Sequence, residues 1–223
     1  MRVGALRPYE DSLLASTPSA LSLVGDDETE LHLDVARWMA PVDATDTAVL
    51  DRCVGPALDV GCGPGRFVRA LGERGIAALG VDIADAAVEL TRRLGMPALG
   101  RSIFDQVPGE GRWATVLLMD GNLGIGGDVP RLLRRISQVM RHNGRLIIEA
   151  SAERDVDEVL TVRFSAAGSV VGPAFDWARM GVDALQRRAV TAGFYVDEVF
   201  VAGERSFVCL RRSARASRIT VSR

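Results

Sequence analysis

The chain has no lysine; all 27 of its basic residues are arginine. A lysine Schiff base and a lysine proton carrier are therefore excluded from its chemistry. Histidine is scarce, with only His32 and His142, and the three cysteines Cys53, Cys62 and Cys209 stand far apart. That spacing offers neither a disulfide frame nor a zinc-ligand pair, so free thiols and no metal are expected. No apolar run reaches the roughly 18–20 residues that span a bilayer, and the first residues lack the apolar core of a signal peptide. A cytoplasmic protein without membrane contact is the expectation. A formal net charge of −2 gives no reason to expect nucleic acid as a partner.

What is present is ordinary globular composition, 48% hydrophobic and 25% charged over 223 residues, enough for one well-packed domain with an appendage. Residues 1–55 carry scattered acids, helical spacing around Leu31, Val35 and Trp38, and breakers at Pro8, Pro18 and Pro41. They read as a helical appendage that covers an edge or closes over a site. From residue 56 short apolar strands alternate with helices. Strands are expected at 57–61, 77–82, 97–103, 114–120 and 145–150, with helices at 65–74, 85–94 and 129–142. This alternation implies a parallel sheet covered on both faces. Asp128 and Pro130 suit a helix start, and His142-Asn143-Gly144 reads as the end of that helix. Beyond Ser151 an extra strand is expected at 158–164 and a helix at 176–192. Two closely joined strands then follow at 195–201 and 206–210, which must pair antiparallel. The segment 212–223 is basic and reads as a solvated tail.

Ala57-Leu58-Asp59-Val60-Gly61-Cys62-Gly63-Pro64-Gly65 is a buried strand running into a glycine-rich turn and a helix. Glycines there permit unusual dihedrals and let backbone approach a ligand, and Pro64 leaves donation to its neighbours' amides. The next strand ends at Asp82, 21 residues after Gly61 (82 − 61), where an acid can hold ribose hydroxyls. A dinucleotide oxidoreductase would carry its third glycine at position 66, which is Arg66.

The pattern acid-x-Gly-x-Gly-x-Gly instead resembles motif I of class I S-adenosylmethionine-dependent methyltransferases. The resemblance covers roughly residues 55–211, including Asp82, the segment Val116-Leu117-Leu118-Met119-Asp120 and the terminal hairpin. It implies a doubly wound α/β fold: a mostly parallel seven-stranded sheet, Rossmann-like, ending in an antiparallel hairpin. It also implies S-adenosyl-L-methionine as cofactor, with Asp59, Gly61, Cys62, Gly63, Pro64 and Gly65 around the methionine moiety. Asp82 would then hold the ribose and Ile83 pack on adenine. Where many members have an acid five residues before a proline, this chain has Ile103 ahead of Pro108. Phe104 can offer its amide to the ring, and Asp105 either replaces the acid or forms a turn.

Asp120-Gly121-Asn122-Leu123-Gly124-Ile125-Gly126-Gly127-Asp128 follows the segment that the family turns toward the transferred methyl. Met119 and Asp120 are expected at the cofactor, and Asp120 and Asn122 as the candidate catalytic pair. Asp120 can serve as a base or bind the donor's amino group; a plain connecting loop is the other reading. Phe175, Trp177 and Arg179 are expected at the start of the late helix, lining an acceptor pocket or filling core. Neither histidine is well placed to be a base. The expected activity is methyl transfer to a small or medium-sized metabolite by a monomer or homodimer. A cofactor-binding protein without transferase activity and an NAD-type oxidoreductase remain as alternatives.

Overall fold

A computed structural model describes residues 5–17 and 20–213. Seven strands form one sheet: β3 (Ala57–Val60), β4 (Ala78–Asp82), β5 (Ala98–Gly100), β6 (Trp113–Leu118), β7 (Met140–Ala150), β10 (Phe194–Ala202) and β11 (Arg205–Arg212). Their order is β10-β11-β7-β6-β3-β4-β5; the pairs from β7 to β5 are parallel, whereas β11 runs antiparallel to both β7 and β10. This is the Rossmann-like methyltransferase sheet that the sequence implied. The chain winds outward from β3 on one side and returns to β6 on the other. A crevice therefore opens at the carboxyl ends of β3 and β6.

Strand periodicity divides the core. In β7, Leu146 and Ile148 pack with α6 (Val129–Val139) and α7 (Val182–Thr191), while Ile147 points to the face covered by α3 (Ala44–Leu50) and α4 (Arg66–Glu73). Helix α5 (Asp85–Arg93) lies beside β4 and β5. The expected cap holds, since the Asp128 carboxylate accepts from the Arg131 amide at 2.9 Å, with Pro130 in the first turn.

The same helix ends earlier than its sequence suggests. It stops at Val139, whose carbonyl accepts from the Gly111 amide at 2.8 Å, and Met140 already pairs with Trp113. The next matched pair is Thr115 with Arg145, so the residues between Met140 and Arg145 bulge out of register and His142 is exposed within β7.

A second sheet was not anticipated. Its order is β2-β1-β8-β9, formed by β1 (Leu21–Gly25), β2 (Glu30–Leu33), β8 (Asp157–Ala166) and β9 (Ser169–Met180), antiparallel throughout. The helical appendage does contain α1 (Arg7–Leu14), α2 (Val35–Met39) and α3, but a hairpin lies between the first two and pairs with β8. Phe175, Trp177 and Arg179 consequently sit on a strand, with Val162 facing Phe175 and Leu160 facing Trp177. Their alternating pattern finds a cross-strand partner, and that overrides helical spacing. The late helix begins only at Val182. The basic tail expected from residue 212 lies outside the described residues beyond Ser213. Among the described residues no helix is long and apolar enough to cross a membrane.

One charge network ties the N-terminal elements to the large sheet. Asp46 of α3, fully buried, pairs with Arg66 of α4, with Arg37 of α2 at 3.1 Å and with Arg205 of β11 at 2.8 Å. Those three arginines also reach Asp120, Arg66 at 2.6 Å, Arg37 at 3.2 Å and Arg205 at 3.3 Å. Arg205 additionally pairs with Glu149, which accepts the Asp120 amide at 2.7 Å. Burial alone would raise the Asp46 carboxyl, but Arg205, Arg66 and the Asp43 amide hold it below the usual aspartate range.

Removing this hub leaves three guanidinium groups, that of Arg66 buried, with only Asp120 and Glu149 to balance them. Asp46→Ala is expected to lower stability in urea unfolding by about 3–5 kcal/mol at neutral pH. A depressed carboxyl stabilises the fold above the unfolded aspartate range and loses that contribution as pH falls through its lower folded value. The gap between wild type and variant should therefore narrow in acid.

Candidate active site

The crevice at the ends of β3 and β6 opens into a cavity of about 540 Å³ between the two sheets. The turn after β3 forms its floor. Gly61 and Gly63 have φ of +72° and +53°, in the left-handed region that favours glycine. A Cβ on Gly63 would point toward the cavity, 3.2 Å from the Tyr9 hydroxyl, so backbone is exposed there to anything bound. Gly65 caps α4 and packs against Thr91, behind the cavity wall.

Asp82 closes one side of this turn. Its Oδ2 accepts from the Gly63 amide and its Oδ1 from the Ala84 amide, both at 2.9 Å. Burial raises its carboxyl, while those amides pull it back. Asp59 is buried at the base of the turn and pushed up to about 7, by burial first and then by Asp120, against the pull of Arg66. Cys62, Pro64, Ile83 and Met119 all line the cavity.

Two expected residues stand differently. The Phe104 ring borders the cavity, but its amide donates to Ser102 Oγ at 3.2 Å instead of facing a ligand. Asp105 is exposed, outside the cavity. Its amide donates to the Ser102 carbonyl at 3.0 Å and its carbonyl accepts from Arg135 at 2.7 Å, the contacts of a turn.

The loop after β6 reaches the cavity with its side chains already engaged. Both Asp120 oxygens accept from arginines, and its φ of +54° is held by the Glu149 contact to its amide. Burial and Glu149 push its carboxyl up, and Arg66, Arg205 and Arg37 oppose them. Asn122 Nδ2 donates to the Val60 and Gly61 carbonyls at 3.0 and 2.8 Å. A Cβ on Gly61 would fall 2.5 Å from that nitrogen. The asparagine thus clamps the loop after β6 onto the turn after β3.

Sequence reasoning placed Phe175 and Trp177 at an acceptor pocket or in the core, but missed Tyr9 and Phe164 on the same wall. Tyr9 of α1 and Phe164 of β8 face the glycine turn across the cavity, with Trp38, Phe175 and Trp177 beside them. Nothing local to Tyr9 signalled this, because its neighbours come from distant segments. Arg66 gave a faint signal, as a charged residue directly after the last glycine of the turn.

A methyltransferase-domain family model matches residues 37–199, most of the chain. The chain belongs to the methyltransferase-domain family. No curated protein matches this methyltransferase. Among solved structures it resembles a Bacteroides fragilis S-adenosylmethionine-dependent methyltransferase in complex with S-adenosylhomocysteine, with a TM-score of 0.76, 22% identity and 93% of each chain covered. It also resembles 1,6-didemethyltoxoflavin-N1-methyltransferase from Burkholderia thailandensis (TM-score 0.54, 18% identity, 70% of each chain). A third is a sugar N-methyltransferase from Streptoalloteichus, with a TM-score of 0.56, 17% identity and 79% of this chain and 88% of that one covered.

S-adenosylmethionine is the cofactor that the sequence motif implies for this methyltransferase, and the residues present fit it. Open backbone at Gly63, a half-buried acid at the end of β4 and the exposed Ile83 beside it form a cradle that a side chain at position 63 would fill.

The clamp has a measurable consequence. Asn122→Ala should destabilise the methyltransferase by about 1–3 kcal/mol, because the Val60 and Gly61 carbonyls lose their donor. Calorimetry with S-adenosylhomocysteine should show weaker binding in parallel, since the turn loses its brace.

Proposed function

We propose that this methyltransferase transfers a methyl group to a small-molecule acceptor bound between the glycine turn and the second sheet. The observation that supports this most is the continuity of the cavity. Its floor is the cofactor turn and its opposite wall is the aromatic face of α1, α2, β8 and β9. Relatives of similar fold named for toxoflavin-precursor and sugar methylation support an acceptor of that size. Family membership favours methyl transfer over the hydride-transfer alternative.

S-adenosylmethionine supplies a methyl already activated on a sulfonium, so positioning can provide much of the acceleration, on the order of 7–11 kcal/mol in favourable cases. Asp82 holds the ribose and the Gly61–Gly63 backbone the methionine portion. Asp59, the acid nearest neutrality, receives the donor's amino group. We assign Asp120 and Asn122 to positioning. The carboxylate of Asp120 is committed to three arginines and the amide hydrogens of Asn122 to two carbonyls, leaving neither as a free base. His142 lies on the exposed bulge of β7 and His32 is exposed on β2, and neither lines the cavity. A protein of this kind works as a cytoplasmic enzyme on metabolites, as monomer or homodimer, without nucleic acid.

Asp82→Ala should weaken S-adenosylhomocysteine binding by about 1.5–3 kcal/mol in a protein that still folds, the range for hydrogen bonds to a charged group. An unchanged dissociation constant would remove Asp82 from the site.

Asp59 gives a pH signature. A carboxyl raised to about 7 is neutral below that value and ionised above it. Affinity for S-adenosylhomocysteine should rise from pH 6 to pH 8 as the carboxylate forms. In Asp59→Asn that rise should vanish and binding should stay weak throughout. A rise of equal size in the variant would assign the titration elsewhere.

A further inference from the structure

The wall opposite the cofactor turn restricts what can be methylated, and this inference rests on the cavity being the active site. Three segments distant in sequence converge there. Tyr9 of α1 and Trp38 of α2 meet edge to face, ring centroids 5.8 Å apart. Phe175 lies 5.5 Å from Phe164 and 6.3 Å from Trp177, the latter pair also edge to face. Leu33 of β2 lies alongside. All but Phe164 are only partly buried, so ring surface remains open to a ligand.

The charges reaching the cavity sit elsewhere. Asp59 and Asp82 flank the glycine turn, and Arg66 and Asp120 neutralise each other within the buried network. Arg101 and Asp176 are exposed at the mouth, and Asp176 accepts a hydrogen bond from Thr161 at 3.2 Å. The aromatic compartment itself therefore offers ring faces and one phenol, with no free carboxylate to pair with a cation and no free guanidinium to pair with an anion. Burial, with Asp82, Cys62 and Asp120 adding to it, keeps the Tyr9 phenol protonated, as a donor and not a base.

We infer that the acceptor is a flat, uncharged aromatic molecule held against Trp38, Phe175 and Trp177 and methylated on a nitrogen that is unprotonated at neutral pH. An alcohol would need a base, and the wall supplies none. An aliphatic amine would enter protonated, without a lone pair, and would face the positive donor. An aryl or heteroaryl nitrogen keeps its lone pair. That pair forms the new nitrogen–carbon bond, the electrons of the broken carbon–sulfur bond stay on sulfur, and the nitrogen's surplus proton passes to solvent. Stacked and edge-on rings orient such a molecule through contact area and ring quadrupoles.

The test uses the full chain saturated with S-adenosylhomocysteine and two probes, 3-aminoquinoline and glucosamine. Binding is followed by calorimetry and tryptophan fluorescence. The aminoquinoline should bind at least about tenfold tighter than glucosamine, and Trp38→Ala and Trp177→Ala should each weaken it by about tenfold. S-adenosylhomocysteine affinity should stay within about twofold in both variants, because neither ring belongs to the cofactor turn. Trp177→Phe, which keeps a ring and tests the site if Trp177→Ala fails to fold, should retain most of the affinity. Failure of the aminoquinoline to bind, equal or tighter binding of glucosamine, or indifference to both Trp38→Ala and Trp177→Ala would overturn the acceptor assignment; so would loss of affinity in Trp177→Phe as complete as in Trp177→Ala. Failure of S-adenosylhomocysteine itself to bind would instead overturn the reading of the cavity as the active site.

Discussion

The buried network of Arg37, Arg66 and Arg205 with Asp46, Asp120 and Glu149 is the constraint on which the site depends. Its six charges come from α2, α3, α4, β7, β11 and the loop after β6, so no pair of neighbouring elements can satisfy it alone. Guanidinium groups suit the task because each offers several fixed donors and stays charged when desolvated. Mutual neutralisation is what lets these groups lie next to an apolar cavity without leaving a stranded charge. The network also explains a strained residue. Asp120 takes a left-handed backbone because its amide must meet Glu149 while its carboxylate meets the arginines.

Around that hub the cavity is assembled from two sheets with different origins. The large sheet brings the cofactor turn and Asp82 together through parallel pairing of β3 with β4. The small sheet joins the N-terminal hairpin to the strands after β7 and turns its aromatic face inward. Trp38 follows directly on Arg37, so the contact that anchors α2 to the large sheet also sets the position of one aromatic wall. The glycine turn and the aromatic wall are thereby held at a fixed separation by the same ion pairs.

Much of the glycine-turn side of the cavity was legible in the sequence, because its signals are local. Gly61, Gly63 and Asp82 are spaced by one βαβ unit, and each needs only its own turn or strand end to be recognised. Phe104 and Asp105 were harder, since the competing partner was Ser102, whose hydroxyl and carbonyl take the two amides. Asn122 was legible as important but not in its role: its partners are the Val60 and Gly61 carbonyls, some sixty residues away.

The segment from Phe175 to Arg179 shows where the limit lies. Phe175, Trp177 and Arg179 alternate as in a strand, but it is pairing with β8 that separates this segment from the helix that follows it. The hairpin at Leu21–Leu33 escapes for the same reason, since its edge is completed by β8 more than a hundred residues on. The residue pattern by itself indicated the parallel sheet, the glycine turn and the acid at the end of the next strand, and through them the resemblance to the family, because periodicity and short spacings are properties of neighbouring residues. Only the tertiary structure decided the second sheet, the charge hub and the aromatic wall. Cross-strand pairing, charge neutralisation and enclosure of a cavity are contacts between distant segments, and their energies exist only once the chain has brought those segments together.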